Sequence, residues 1–192
     1  MARLLSDKYI REYVQKYNMI TNFVEKTKRD GIFSYGLGAF GYDARVSTDA
    51  KILLMSDLER QGIPLDPKNP ALKALLKPLP EAAGKFTVPA NSVAMFSLVE
   101  EFNLPENVQA YSHFGKSSYA RYGLVPNITP IDAGYSGSIT FSLSNPFSVP
   151  VVVYPNEGIV QLSFWAEDED AEESYAVDGK YMGSQGLTES KF

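Results

Sequence analysis

The chain has 192 residues, 44% of them hydrophobic, and a formal net charge of −5. That size suits a single domain over residues 1–192, and an acidic balance without a Lys/Arg cluster argues against nucleic-acid binding, which needs a basic footprint. With no cysteine and one histidine, His113, there is neither a disulfide framework nor the ligand set for a His/Cys zinc site; lacking a long apolar run or a basic-then-apolar leader, the chain is expected to be soluble and cytoplasmic, with no membrane partner.

The opening stretch, LSDKYIREYVQKYNMI, reads as a helix within residues 1–20. Ser6 or Asp7 can cap it, and Ile10, Tyr13, Val14 and Tyr17 recur at helical spacing. In GIFSYGLGAFGYDARV the glycines at 36, 38 and 41 require tight backbone rather than helix. Asp43 and Arg45 read there as a structural pair. A Pro-rich excursion over 66–85 holds one short helix, ALKALLK.

From there the pattern is β. KFTVPANSVAMFSLVEEFNLP reads as two strand segments around a PAN turn, and VQAYSHFG as a further strand. GKSSYARYGL (115–124) reads as a helix start. It sets Lys116, Ser117, Ser118 and Arg121 within about two helical turns, two cations and two hydroxyls that suit phosphate oxygens. Taken alone, the capped helix with solvated cations is the more common case.

IDAGYSGSITFSLSN (131–145) alternates as a strand, with Ile139, Phe141 and Leu143 on one face and Thr140, Ser142 and Ser144 on the other. Asp132 precedes it in a Gly-rich loop with Tyr135. VPVVVYPNEGIVQLSFW reads as a hairpin turning at PNEG, and Gln161, polar among apolar neighbours, is expected to have a partner. AEDEDAEE reads as a solvated acidic loop. The segment 174–192, with Tyr175, Lys180 and Gln185, is either a loose end or a lid that orders over a ligand. Many short strands with regular turns point to a sandwich or barrel.

GYDAR, GKSSYAR…GL, IDAGYSG, YPNEGIVQLSFW and GKYMG, together with FSYG and the DPKN of residues 66–69, follow one another as in dCTP deaminases. The chain resembles that family, part of the dCTP deaminase/dUTPase superfamily, over nearly its whole length. The resemblance implies a mainly β fold, a distorted β-barrel or jelly roll with an N-terminal helix and short extra helices. It also implies a homotrimer with active sites between subunits. On the matching positions it makes Asp132, Arg121 and Ser117 the catalytic group. Lys116, Ser118, Tyr135, Gln161, Tyr175, Lys180 and Gln185 are the substrate contacts. Asp132 would take the deoxyribose 3′-hydroxyl and, as in the dUTPase relatives, orient the attacking water. Tyr135 matches the dUTPase tyrosine that packs under the sugar.

Two positions depart from the deaminase pattern. That pattern carries a glutamate ten residues after the aspartate, and here the position is Ser142. Zinc-free deamination needs a base to move a proton from water to the ring and the leaving amine, and a serine does not supply one unaided. The lid glutamine of the family falls at Ser184, with Gln185 one place later.

Water attack on phosphorus needs one base, held phosphates and Mg²⁺ bound mainly through phosphate oxygens. Residue 142 therefore acts as the specificity position. The expected reaction is hydrolysis of a pyrimidine deoxynucleoside triphosphate, dUTP to dUMP and pyrophosphate. The alternatives are a dCTP deaminase, alone or bifunctional, with a substitute base such as Asp43, Glu157 or a residue from another subunit, and a non-catalytic dNTP sensor.

Overall fold

The computed structural model describes residues 1–191, apart from the side chains of His113 and Phe114. Phe192, the end of the expected 174–192 lid, lies outside the described residues. In chain order the elements are β1 (Arg3–Leu4), α1 (Asp7–Tyr17), β2 (Lys26–Thr27), β3 (Tyr35–Gly38), β4 (Gly41–Leu54), α2 (Met55–Gln61), α3 (Ala71–Leu75), β5 (Lys77–Pro78), β6 (Phe86–Val88), β7 (Ser92–Asn103), β8 (Val108–Gly115), α4 (Ser117–Ala120), β9 (Pro126–Asn127), β10 (Ser136–Asn145), β11 (Val151–Val153), β12 (Gly158–Ala166) and α5 (Tyr175–Asp178).

Ten strands form one curled, barrel-like sheet in the order β1-β12-β4-β7-β10-β9, with β8 on β12, β3 on β4, β2 on β3 and β5 on β4. The long strand β4 joins its two halves. Its first part, Tyr42–Arg45, pairs β12, and Val46–Leu54 pairs β7 across a register shift between Val46 and Ala50. Such a shift bends a strand and lets it serve two directions. The inner face closes over an aromatic core, where Phe96 stacks on Phe141 at 5.5 Å and meets Phe86 edge-on at 5.3 Å. All three rings are essentially inaccessible, each contributing roughly 2–3 kcal/mol of apolar burial.

The opening helix is shorter than the periodicity suggests. Ser6 occupies the N-cap by backbone conformation without a side-chain capping bond, and Asn18 ends the helix in the left-handed region at φ 52°. Met19 and Ile20 beyond it are buried core residues.

The hairpin expected over residues 149–165 is not formed. β11 pairs β6 in a separate two-stranded sheet, while β12 pairs β4 and β8. The intervening turn is pinned to β4 instead, with the Asn156 amide donating to the Val46 carbonyl at 2.7 Å and the Val46 amide to Glu157 at 3.0 Å. That pinning sends the two strands to different sheets.

Candidate active site

Asp132 sits where the chain turns from β9 into β10. Just before it, Ile131 exchanges both backbone hydrogen bonds with Ala110 of β8, at 2.8 and 2.9 Å. The alternation of β8 buries Ala110 and turns Gln109 and Tyr111 outward. Gln109 Nε2 donates to Asp132 Oδ1 at 3.0 Å, and the Tyr111 hydroxyl donates in turn to Gln109 Oε1. After Asp132 the Tyr135 amide closes a turn onto the Asp132 carbonyl at 3.1 Å. Gly134 in that turn has φ +80°, and a Cβ there would meet Ser174 Oγ at 2.1 Å. Only glycine lets residue 174 lie this close.

Tyr135 is buried. Its hydroxyl donates to the Ser138 carbonyl at 2.6 Å, and its ring lies 5.7 Å from that of Tyr175. Burial pushes its phenol up to about 12. With Tyr175 in place, little of the ring is open to a sugar.

The cationic group lies at the other end of β8. Lys116 is turned away from solvent, its Nζ 2.5 Å from Asp43 Oδ2 and 3.2 Å from Ser34 Oγ. Ser117 and Arg121 are exposed, Ser118 is half-buried, and Arg121 Nη1 donates to the Ser117 carbonyl at 3.0 Å. Gln161 stands opposite Asp43 in the β12–β4 register. It is exposed, so a protein partner is not required of it.

Gln109 touches Asp132, and Ser117 follows eight residues later along a nearly extended strand. The two groups are thus about 20–25 Å apart in one chain. The structure brings together Asp132, Tyr135 and Tyr175 at one end, and Lys116, Ser117, Ser118 and Arg121 at the other.

The C-terminal segment answers the all-hydroxyl face of β10. It runs parallel to the strand through a Gly137–Ser184 bridge. The Gly183 amide donates to the Ser136 carbonyl and the Ser138 amide to that of Ser184, both at 2.8 Å. Further on, the Gly186 amide donates to Ser138 Oγ and the Thr188 amide to Thr140 Oγ1, both at 2.9 Å. From β4, Asp49 accepts from the Leu187 amide at 3.1 Å and Lys51 pairs with Glu189. Ser184 is the buried partner in this register, while Gln185 and Lys180 are exposed. Ser142, further along the same face, is half-buried beside Asn127 of β9 and Met95 of β7.

Asp132, Gln109, Tyr111, Trp165 and Tyr175 line a cavity of about 1240 Å³, whose lip from Glu167 to Asp170 is acidic. Sequence reasoning passed over Gln109 and Tyr111, although the alternation of VQAYSHFG sets both on one face. It also passed over Ser138 as a seat for the tail.

Residues 4–166 match the family described as dCTP deaminase-like. The chain belongs to the dCTP deaminase family. Among curated members it is 41% identical over 186 residues to a dCTP deaminase of Rhizorhabdus wittichii, covering 96% of this chain and 97% of that one. It is likewise 41% identical to a dCTP deaminase of Campylobacter hominis, covering 96% and 94%. The crystal structure of 2′-deoxycytidine 5′-triphosphate deaminase from Agrobacterium tumefaciens superposes with a TM-score of 0.61 at 18% identity. That match covers 86% of this chain and 48% of the other, and it bears out the expected mainly β, dUTPase-like barrel. No helix among the described residues is long and apolar enough to cross a membrane.

Proposed function

We propose that this member of the family hydrolyses a pyrimidine deoxynucleoside triphosphate, dUTP to dUMP and pyrophosphate, with Asp132 orienting the attacking water. The carrying observation is the pairing of an oriented, solvent-accessible Asp132 with a serine at position 142, where the family pattern described above has its glutamate. Of the substitute bases considered from sequence, the two within one chain are both engaged, Asp43 by Lys116 and Glu157 by the Phe33 amide at 2.7 Å.

In this reading Asp132 accepts a proton from water as the oxygen attacks the α-phosphorus, and pyrophosphate leaves from the far side. Ser117, Ser118 and Arg121 bind the departing phosphates. Among the described residues no three His, Cys, Asp or Glu side chains converge as a metal cage. Mg²⁺ would enter with the nucleotide, held by phosphate oxygens and water, and would supply neutralisation of phosphate charge.

The separation of roughly 20–25 Å that the rise of β8 sets between the Asp132 and Arg121 groups exceeds the reach of one nucleotide's sugar and phosphates. The acidic lip beside Asp132 also repels a polyphosphate. We therefore propose that the phosphate-binding group comes from a neighbouring copy, in a homotrimer with sites between subunits. The tail residues Tyr175, Lys180 and Gln185 add to the nucleotide contacts.

A second reading, deamination of dCTP, is favoured by the names of the relatives at about 40% identity. One panel separates the two. The pure protein is incubated with Mg²⁺ and dCTP, dUTP or dTTP, and ammonia and pyrophosphate are scored separately. Pyrophosphate from dUTP is the expected product. Asp132→Asn is expected to lower turnover at least 100-fold while leaving the melting temperature unchanged. Ammonia from dCTP without pyrophosphate from any nucleotide would replace the first reading with the second. Binding without either product would identify a sensor.

A further inference from the structure

The loop that carries Asp132 is already fixed by backbone. Ile131 is tied on both sides to Ala110, and the turn is closed by the Tyr135 amide. The Gln109 side chain adds nothing the loop needs for its position. What it fixes is the carboxylate, which would otherwise rotate about its own side-chain torsions.

The direction of the Gln109 amide is set by its two neighbours. A carboxylate only accepts, so the NH₂ end faces Asp132 and the carbonyl end faces the Tyr111 hydroxyl, which donates to it. Reversing the amide would set Oε1 against the carboxylate. Gln109 and Tyr111 both stand on β8, which is held along its length by β12. A rigid strand thus orients a carboxylate borne by a loop. Gln109 engages Oδ1, and among the described residues Oδ2 has no partner, leaving it to accept from a water or a sugar hydroxyl.

We propose that Gln109 is a positioning residue for Asp132, and that Tyr111 acts through Gln109 by locking its amide. The proposal deepens the hydrolytic reading and rests on it for its kinetic consequence, but the hydrogen-bonded chain itself can be tested without turnover.

The test has two arms, both on the full chain. In the first, the side-chain amide signals of glutamines are recorded by ¹H–¹⁵N spectroscopy on the free protein. The Gln109 pair is expected away from the position of solvated glutamines; Asp132→Ala is expected to return it there, and Tyr111→Phe to move it part of the way. A Gln109 signal already at the solvated position in the wild type overturns the proposal, whatever the protein catalyses. In the second, dUTP hydrolysis is measured for Gln109→Leu, Tyr111→Phe and the double variant. Gln109→Leu is expected to lower kcat about tenfold with KM nearly unchanged, because a misdirected base costs rate rather than binding. Tyr111→Phe is expected to lower kcat about threefold alone and to add nothing in the Gln109→Leu background, as for residues acting in series. Additive losses, a change in KM alone, or wild-type kinetics for Gln109→Leu overturn it. If Asp132→Asn turns over as fast as the wild type, the hydrolytic reading fails instead, and the spectroscopic arm still decides the positioning.

Discussion

Glu100, fully buried on β7, accepts from the Arg45 amide and from Arg45 Nε, both at 2.8 Å, and from the Tyr42 hydroxyl at 3.2 Å. Burial pushes its carboxyl above the ordinary range, with the Arg45 hydrogen bonds and charge pulling the other way. Arg45 also donates to the Asn22 carbonyl at 2.9 Å and lies 4.9 Å from the Tyr35 ring centroid. One guanidinium therefore ties the segment after α1 to two strands. Arg45→Leu would leave the glutamate buried and uncompensated, and is expected to cost about 3 kcal/mol in denaturant melts at pH 7. A carboxyl raised in the folded state contributes stability that is present below the unfolded value of 4.5 and lost as pH rises through the folded one. The Arg45→Leu deficit should accordingly shrink as pH is lowered toward 5. The sequence offered Asp43 as the partner of Arg45, because the two are near neighbours on one strand face. The actual partners, Lys116 for Asp43 and Glu100 for Arg45, are supplied by distant segments. Charge types were legible there; the choice between competing partners was set by packing.

At the scale of elements, the alternation of β10 was readable to the residue, since Ile139, Phe141 and Leu143 are all buried. So were β8, the short α3 within the Pro-rich excursion and the exposed acidic loop. Strand partners were not readable, as the missing 149–165 hairpin shows: local alternation states that a strand has an inner face and says nothing of which edge it joins. The purpose of the hydroxyl face was equally hidden, because its ligand is backbone. Ser138 and Thr140 accept from amides of the tail, and any sequence with ordinary amides at residues 186 and 188 could donate. Removing both acceptors should loosen that segment without unfolding the barrel. In Ser138→Ala/Thr140→Val, amide exchange at residues 184–189 is expected to accelerate at least tenfold, with exchange in β7 unchanged. Unaltered protection in the tail would show that the backbone bonds to Ser136 and Ser138, with Asp49 and Lys51, suffice to hold it.

For the molecule as a whole, the decisive feature is the length of β8, which sets Asp132 at one end and Arg121 at the other. If each site is shared between neighbouring copies, a chain damaged at one end still carries a sound opposite end. Two variants expected to be inactive, Asp132→Asn and Arg121→Ala, should then rescue each other when unfolded together and refolded at equal ratio. Random assortment around a closed ring gives about a quarter of the interfaces one intact half from each parent, so about a quarter of wild-type turnover is expected from the mixture. A mixture as inactive as its parents would mean that both ends serve the same chain. Such complementation would also make heterozygous damage partly silent: a cell producing both defective forms would still process the nucleotide, although neither gene alone encodes a working enzyme.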